Sequence, residues 1–176
     1  VYGLFTFFCV PAGYLAGLLV RRTFGDTYWC LTAVELAGFA GMMAGGVIMS
    51  IWGGYQRGET TLVMGLLLFG FFAASMGFAK NFILYLCFML FYGVALTIVQ
   101  TAITTMLQEK AIPSMQGRVF GLFSTMYAGF LPVGMAIFGP LADMVPLQWI
   151  IIGTGIALIL LGGIVTQARQ LRTVQK

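Results

Sequence analysis

LTIVQTAITTMLQEKAIPSMQGRVFGLFSTMYAGF, residues 96–130, passes from an apolar run through a short charged connector into a second apolar run. Glu109, Lys110 and Arg118 crowd into this piece of a chain in which only 8% of residues are charged and 60% are hydrophobic. Soluble domains carry about 25% charged and about 45–50% apolar residues. Pro113 cannot continue a helix and pushes Ile112 out of helical dihedrals, and Ser114 is placed to cap the next helix. Arg118 stands where the following helix begins, and its long side chain can snorkel to the membrane surface. The stretch therefore reads as a tight polar turn between two helices whose solvent is lipid.

Outward from that turn the apolar runs repeat. About 20 largely apolar residues span a bilayer, and six such runs lie at about 1–20, 30–53, 61–79, 82–107, 119–141 and 147–168. They are continuously apolar and do not alternate, which excludes barrel strands and predicts an all-α, polytopic six-helix bundle. Alternate connectors share a membrane face. One face collects Arg57, Lys110, Arg118, Arg169, Arg172 and Lys176, the other Arg21, Arg22 and Lys80. The richer face is expected to be cytoplasmic, with both ends of the segment on that side. Trp29, Trp52 and Trp149 fall at run ends, where an amphipathic ring prefers to sit.

Several chemistries lack their parts. The chain has no histidine, and Cys9, Cys30 and Cys87 are too sparse for a zinc site or a disulfide framework. No phosphate-binding glycine loop is present, no metal or cofactor is expected, and an enzyme active site has no obvious components. The net charge of +4 is spread over turns and forms no nucleic-acid patch. Val1 opens the chain inside an apolar run, which reads as a piece of a longer protein.

Within the runs a few residues depart from plain apolar packing. Gly13 with Gly17, and Gly41 with Gly45, have the spacing that lets helix backbones approach closely in lipid. The fifth run, YAGFLPVGMAIFGPLAD (127–143), holds Pro132 and Pro140 among Gly129, Gly134 and Gly139, the composition of a bent or moving helix. Thr97, Thr101, Thr104 and Thr105 form one polar stripe on the fourth run, with Gln100 beside it. These residues either line a cavity or bond a neighbouring helix. Glu35 is the one ionisable residue well inside a run, roughly 7 Å from its end at 1.5 Å per residue. A membrane-embedded carboxyl group that can load and release a proton is what a proton-coupled carrier requires. The bland alternative is a glutamate that fixes helix packing.

QEKAIPSMQGRVFGLFSTM (108–126), then PVGMAIFGPLADMVPLQW (132–149), resembles the second half of the macrolide-efflux-type transporters of the major facilitator superfamily. FGDTYWCLTAVELAGFAGMMAGGVIMSIWGG (24–54) is similar to the same family around its eighth helix, including Glu35. The resemblance implies helices seven to twelve of a twelve-helix carrier, built as a 3+3 inverted repeat. It further implies a bacterial inner-membrane protein that exchanges amphipathic drugs for protons. Gly129, Gly134, Gly139 and Pro140 are similar to a Gly/Pro motif of related antiporters. The turn at 53–58 lacks the aspartate of the superfamily's loop motif, so no gating role is assigned to it. Half a carrier lacks one wall of its cavity. The expected partners are therefore the other six-helix half or a second copy, membrane lipid, a small amphipathic substrate and protons. The competing reading is a self-contained six-span channel or small permease acting as an oligomer. A third is a membrane scaffold or enzyme.

Overall fold

A computed structural model describes residues 2–25, 28–55 and 58–174. Seven helices follow in order: α1 (Tyr2–Tyr14), α2 (Ala16–Phe24), α3 (Tyr28–Trp52), α4 (Gly58–Phe78), α5 (Phe82–Lys110), α6 (Gln116–Met144) and α7 (Leu147–Val174). Among the described residues six stretches are long and apolar enough to cross a membrane, with α1 and α2 together forming the first. The protein is a multi-pass membrane helix bundle.

The helix ends follow local chemistry. Gly53 and Gly54, with φ of 67° and 77°, end α3 in a backbone region that suits glycine. Asn81 caps α5 by accepting a 3.1 Å bond from the Ile83 amide. The charged connector is tighter than its sequence suggests, because Glu109 and Lys110 form the last turn of α5 and Arg118 the first turn of α6. Ser114 does not cap α6. Pro113–Met115 wind into one 3-10 turn instead, and Met115 precedes α6 with no side-chain cap. Pro132 and Pro140 both lie within a continuous α6, whereas in the first span α1 and α2 meet at Leu15, four residues after Pro11, with the Leu15 amide still bonded to the Pro11 carbonyl at 3.1 Å and the Leu19 amide to the Leu15 carbonyl at 2.9 Å. Arg57 and Lys176, used above to assign a membrane face, lie outside the described residues.

Packing follows an internal symmetry. α3 packs on α5 and α6 on α1; α5 also packs on α4 and α1 on α7; and α4 packs on α7. Exchanging the first three spans with the last three leaves this set unchanged. The register confirms it. A Cβ on Gly45 would touch Val94 and Thr97, and one on Gly134 would touch Phe7 and Val10. Gly134 stands 89 residues after Gly45, while Phe7 and Val10 each stand 87 before their counterparts. Gly41 faces Leu90, and the same offsets predict the observed meeting of Phe130 with Gly3. Gly70 and Gly155 lie against each other's carbonyls at the α4–α7 crossing. Gly77 against Ile152 maps onto Gly162 against Leu67 by one shift of 85. Because mated helices run in opposite directions, the two-fold axis lies in the membrane plane, the arrangement of an inverted-topology repeat.

Candidate functional site: an uncharged cavity on the internal two-fold axis

Phe69 of α4 is fully buried and sits between two mates, Phe5 of α1 at 5.3 Å and Tyr92 of α5 at 4.5 Å between ring centroids. This aromatic trio backs a cavity of about 300 Å³, at the small end of the roughly 300–1,000 Å³ usual for ligand pockets. Its walls come from α1, α3, α5 and α6, and six pairs of symmetry mates contribute together. They are Phe5 with Tyr92, Thr6 with Gly93, Cys9 with Leu96, Gly13 with Gln100, Gly38 with Tyr127, and Met42 with Leu131. The cavity thus straddles the axis at mid-membrane, where the two repeats meet.

A physical difference between the mated helix pairs creates the space. On the α3–α5 side Gly38 faces Gly93, so the backbones touch: a Cβ on Gly93 would collide with the Gly38 carbonyl. On the α6–α1 side the same positions are Tyr127 and Thr6, whose bulk keeps the helices apart. A second cleft of about 250 Å³ continues the cavity between α5 and α6, lined by Gln100, Phe123, Ser124 and Tyr127. Gln100 and Tyr127 belong to both spaces.

The polar groups are few, and the exposed Tyr14 beside Gly13 is one of them. The Cys9 thiol and the Tyr92 hydroxyl engage each other at 3.5 Å. Thr6 and Tyr127 also have partners. The Gln100 carbonyl accepts from the Thr104 hydroxyl at 2.8 Å, but the Gln100 side-chain amide has no partner among the described residues and opens into the cavity.

The sequence-selected residues separate into groups. Gln100 lines the cavity. Thr97 does not: its hydroxyl donates to the Met42 carbonyl of α3 and the Gly93 carbonyl of its own helix, each at 3.2 Å, and so cross-links α5 to α3. Thr104 bonds its own helix, and Thr101, half-buried, is also outside the cavity lining. The stripe was read at the right period, but it is rotated from the cavity face, which follows Met89, Tyr92, Gly93, Leu96 and Gln100. Glu35 is exposed and lies outside the lining, one helical turn beyond Gly38 and Phe39. Its symmetry mate, by the offset of 89, is Ser124 of the α5–α6 cleft. In α6, Gly134 is buried against Val10, while Gly129 and Gly139 have open space around them. Pro132 and Pro140 are exposed. Lys110 pairs with Glu59 at 3.2 Å, and Glu109 and Arg118 are exposed.

Cavity residues that the sequence did not single out include Cys9, Tyr92 and Tyr127. Their signal was the symmetry, visible only once helix contacts fixed the offsets. Among the described residues no group of three or more potential metal ligands occurs.

No family model matches the chain. Two curated relatives are similar to it. "Macrolide efflux protein A" of Streptococcus pyogenes is 23% identical over 144 residues, covering 81% of this chain and 36% of the relative. "Macrolide efflux protein A" of Enterococcus faecalis is 23% identical over 134 residues, covering 75% of this chain and 42% of the relative. The chain thus spans about two-fifths of the length of these relatives.

Proposed function

We propose that this chain is the C-terminal six-helix half of a secondary active transporter that expels amphipathic drugs of the macrolide type across a bacterial cell membrane. The carrying observation is the cavity on the internal two-fold axis, because carriers built from inverted repeats bind their substrates at the repeat interface near the bilayer midplane. Aromatic, methionine and sulfur groups make its wall adaptable, which suits bulky apolar ligands. The relatives' printed names point to the same substrate class. A cavity of about 300 Å³ is one wall of a larger site. The other wall comes from a second six-helix unit: the N-terminal half or another copy.

Coupling is to protons, and Glu35 is the coupling group. It is an acid within a span, one turn from the cavity rim, with no ion-pair partner among the described residues. Both ends of the segment face the cytoplasm, and alternating access comes from rocking this bundle against its partner unit. The test is macrolide efflux by the complete carrier with and without an imposed proton gradient. Wild-type carrier is expected to accelerate efflux only with the gradient, and Glu35→Gln is expected to lose that acceleration while still binding drug. Gradient-driven efflux at the wild-type rate in Glu35→Gln removes the glutamate from the coupling path. Absence of gradient-dependent efflux in the wild type removes proton coupling.

A further inference from the structure

The cavity's polar groups are unequally placed about its own symmetry axis. At one end stands the Gln100 amide, without a partner among the described residues and shared between the cavity and the α5–α6 cleft. Its mate at the other end is Gly13, which has no side chain; a Cβ there would already lie 3.3 Å from the Tyr92 hydroxyl, and the polar group of that end is the exposed phenol of Tyr14, which carries no carboxamide's paired donor and acceptor. Among the described residues no charged side chain lines either space. An ammonium group placed there would lose its hydration and gain no counter-charge, which is costly inside a membrane. A carboxamide, by contrast, both donates and accepts, and it suits an uncharged oxygen.

We propose that this half of the cavity recognises the neutral, oxygen-bearing face of its ligand — a hydroxyl or carbonyl group — through Gln100, and does not bind a cation. The inference rests on the efflux reading above and adds the ligand chemistry and its orientation. The ligand's polar edge lies toward the end of α5 that carries Lys110. Its apolar body extends past Cys9 and Tyr92 toward Gly13. Any amine on the substrate is met outside this cavity wall. Gln100 is therefore a specificity-determining residue, not a structural one.

The test uses the complete carrier in inverted membrane vesicles with two labelled probes of one scaffold: a neutral macrolactone, and the same macrolactone bearing a dimethylamino sugar. Gln100→Leu preserves size and is expected to raise KM for both probes by about tenfold, because the lost bond serves an oxygen that both carry. Gln100→Glu places a carboxylate beside the cavity. It is expected to shift the ratio of amine-bearing to neutral transport upward by about tenfold. A ratio measured within one variant cannot arise from misfolding. An unchanged KM for the neutral probe in Gln100→Leu, a loss confined to the amine-bearing probe, or a wild type that carries only the amine-bearing probe would each overturn the proposal. A wild type that moves neither probe defeats the efflux reading on which it rests.

Discussion

The α3–α5 and α1–α6 crossings are copies of one arrangement, yet they are built oppositely. In the first, Gly38, Gly41 and Gly45 of α3 meet Gly93 and the backbones of Leu90 and Val94, and Thr97 bonds across to the Met42 carbonyl at 3.2 Å. In the second, the mates of Gly38 and Gly41 are Tyr127 and Phe130, Gly93 becomes Thr6, and the mate of Thr97 is Val10, which can make no such bond. Only Gly134, Phe138 and Ala142 of α6 are fully buried. In lipid, close backbone approach and interhelical hydrogen bonds replace the hydrophobic effect as the cohesive force. One crossing is therefore tightly seated. The other is a loosely held wall, and the cavity forms where the wall stands off.

The largest effect expected from this contrast comes from filling the tight seam. Gly41→Val forces a Cβ into the Leu90 carbonyl, and backbone cannot turn aside as a side chain can. The variant should lose about 3 kcal/mol, or fail to fold, by denaturant titration in micelles. Gly129→Val on α6, where nothing lies within 4 Å, should fold normally. Equal damage from both would show that the two crossings do not differ as described.

An intermediate effect belongs to the mated pair Gly45 and Gly134. A Cβ on Gly45 would sit 2.9 Å from the Val94 carbonyl oxygen. On Gly134 its nearest neighbour would be a methyl group of Val10 at 2.8 Å, which can rotate. Gly45→Ala should therefore destabilise by about 1–2 kcal/mol more than Gly134→Ala in the same titration. Thr97→Val, which keeps the shape and removes the cross-helix bond, should cost about 0.6 kcal/mol. Val10→Thr is the reciprocal substitution: a gain there would show that the loose crossing can be tightened by copying its mate.

The spans were legible because lipid imposes a single requirement, about 20 apolar residues, that any sequence must display openly. The tight pair was half-legible. Gly41 and Gly45 form a true backbone contact, but the identical spacing of Gly13 and Gly17 does not: a Cβ on Gly13 would meet only the Tyr92 hydroxyl, and one on Gly17 only a Leu31 methyl group at 3.6 Å. Spacing says that helices can approach, while the facing residues decide whether they do. The polar stripe left two outcomes open for a related reason. Periodicity gives a face but not its neighbour, so Thr97 served a helix and only Gln100, just off the stripe, reached the cavity. The junction within the first span carried a signal in Pro11, but Pro132 and Pro140 carry the same signal within an unbroken α6.

The smallest effects concern two surface ion pairs at helix tips. Arg22 reaches Asp143 at 2.9 Å and the Ala142 carbonyl at 2.7 Å. On the opposite membrane face Lys110 reaches Glu59 at 3.2 Å. Arg22 lies within one position of the mate of Lys110, whereas Asp143 near the end of α6 and Glu59 in the first turn of α4 are not mates; both pairs tie a helix tip to the other repeat. The surroundings differ. Lys110 ends an α5 with no internal proline, whereas Arg22 lies in the last turn of α2, which joins α1 at Leu15 just past Pro11. Exposed pairs contribute about 0–1 kcal/mol and weaken with salt, so neither Arg22→Gln nor Lys110→Gln should shift global stability by more than that. Their local effects should diverge. Amide exchange across residues 16–24 should quicken several-fold in Arg22→Gln, because that segment relies on its anchor, and the charge-reversed pair Arg22→Asp with Asp143→Arg should restore protection. Exchange across residues 102–110 should change little in Lys110→Gln, because there the continuous helix carries its own tip. Equal responses at the two tips would mean that the junction at Leu15 has no mechanical consequence and that the two repeats differ only in how closely their helices pack.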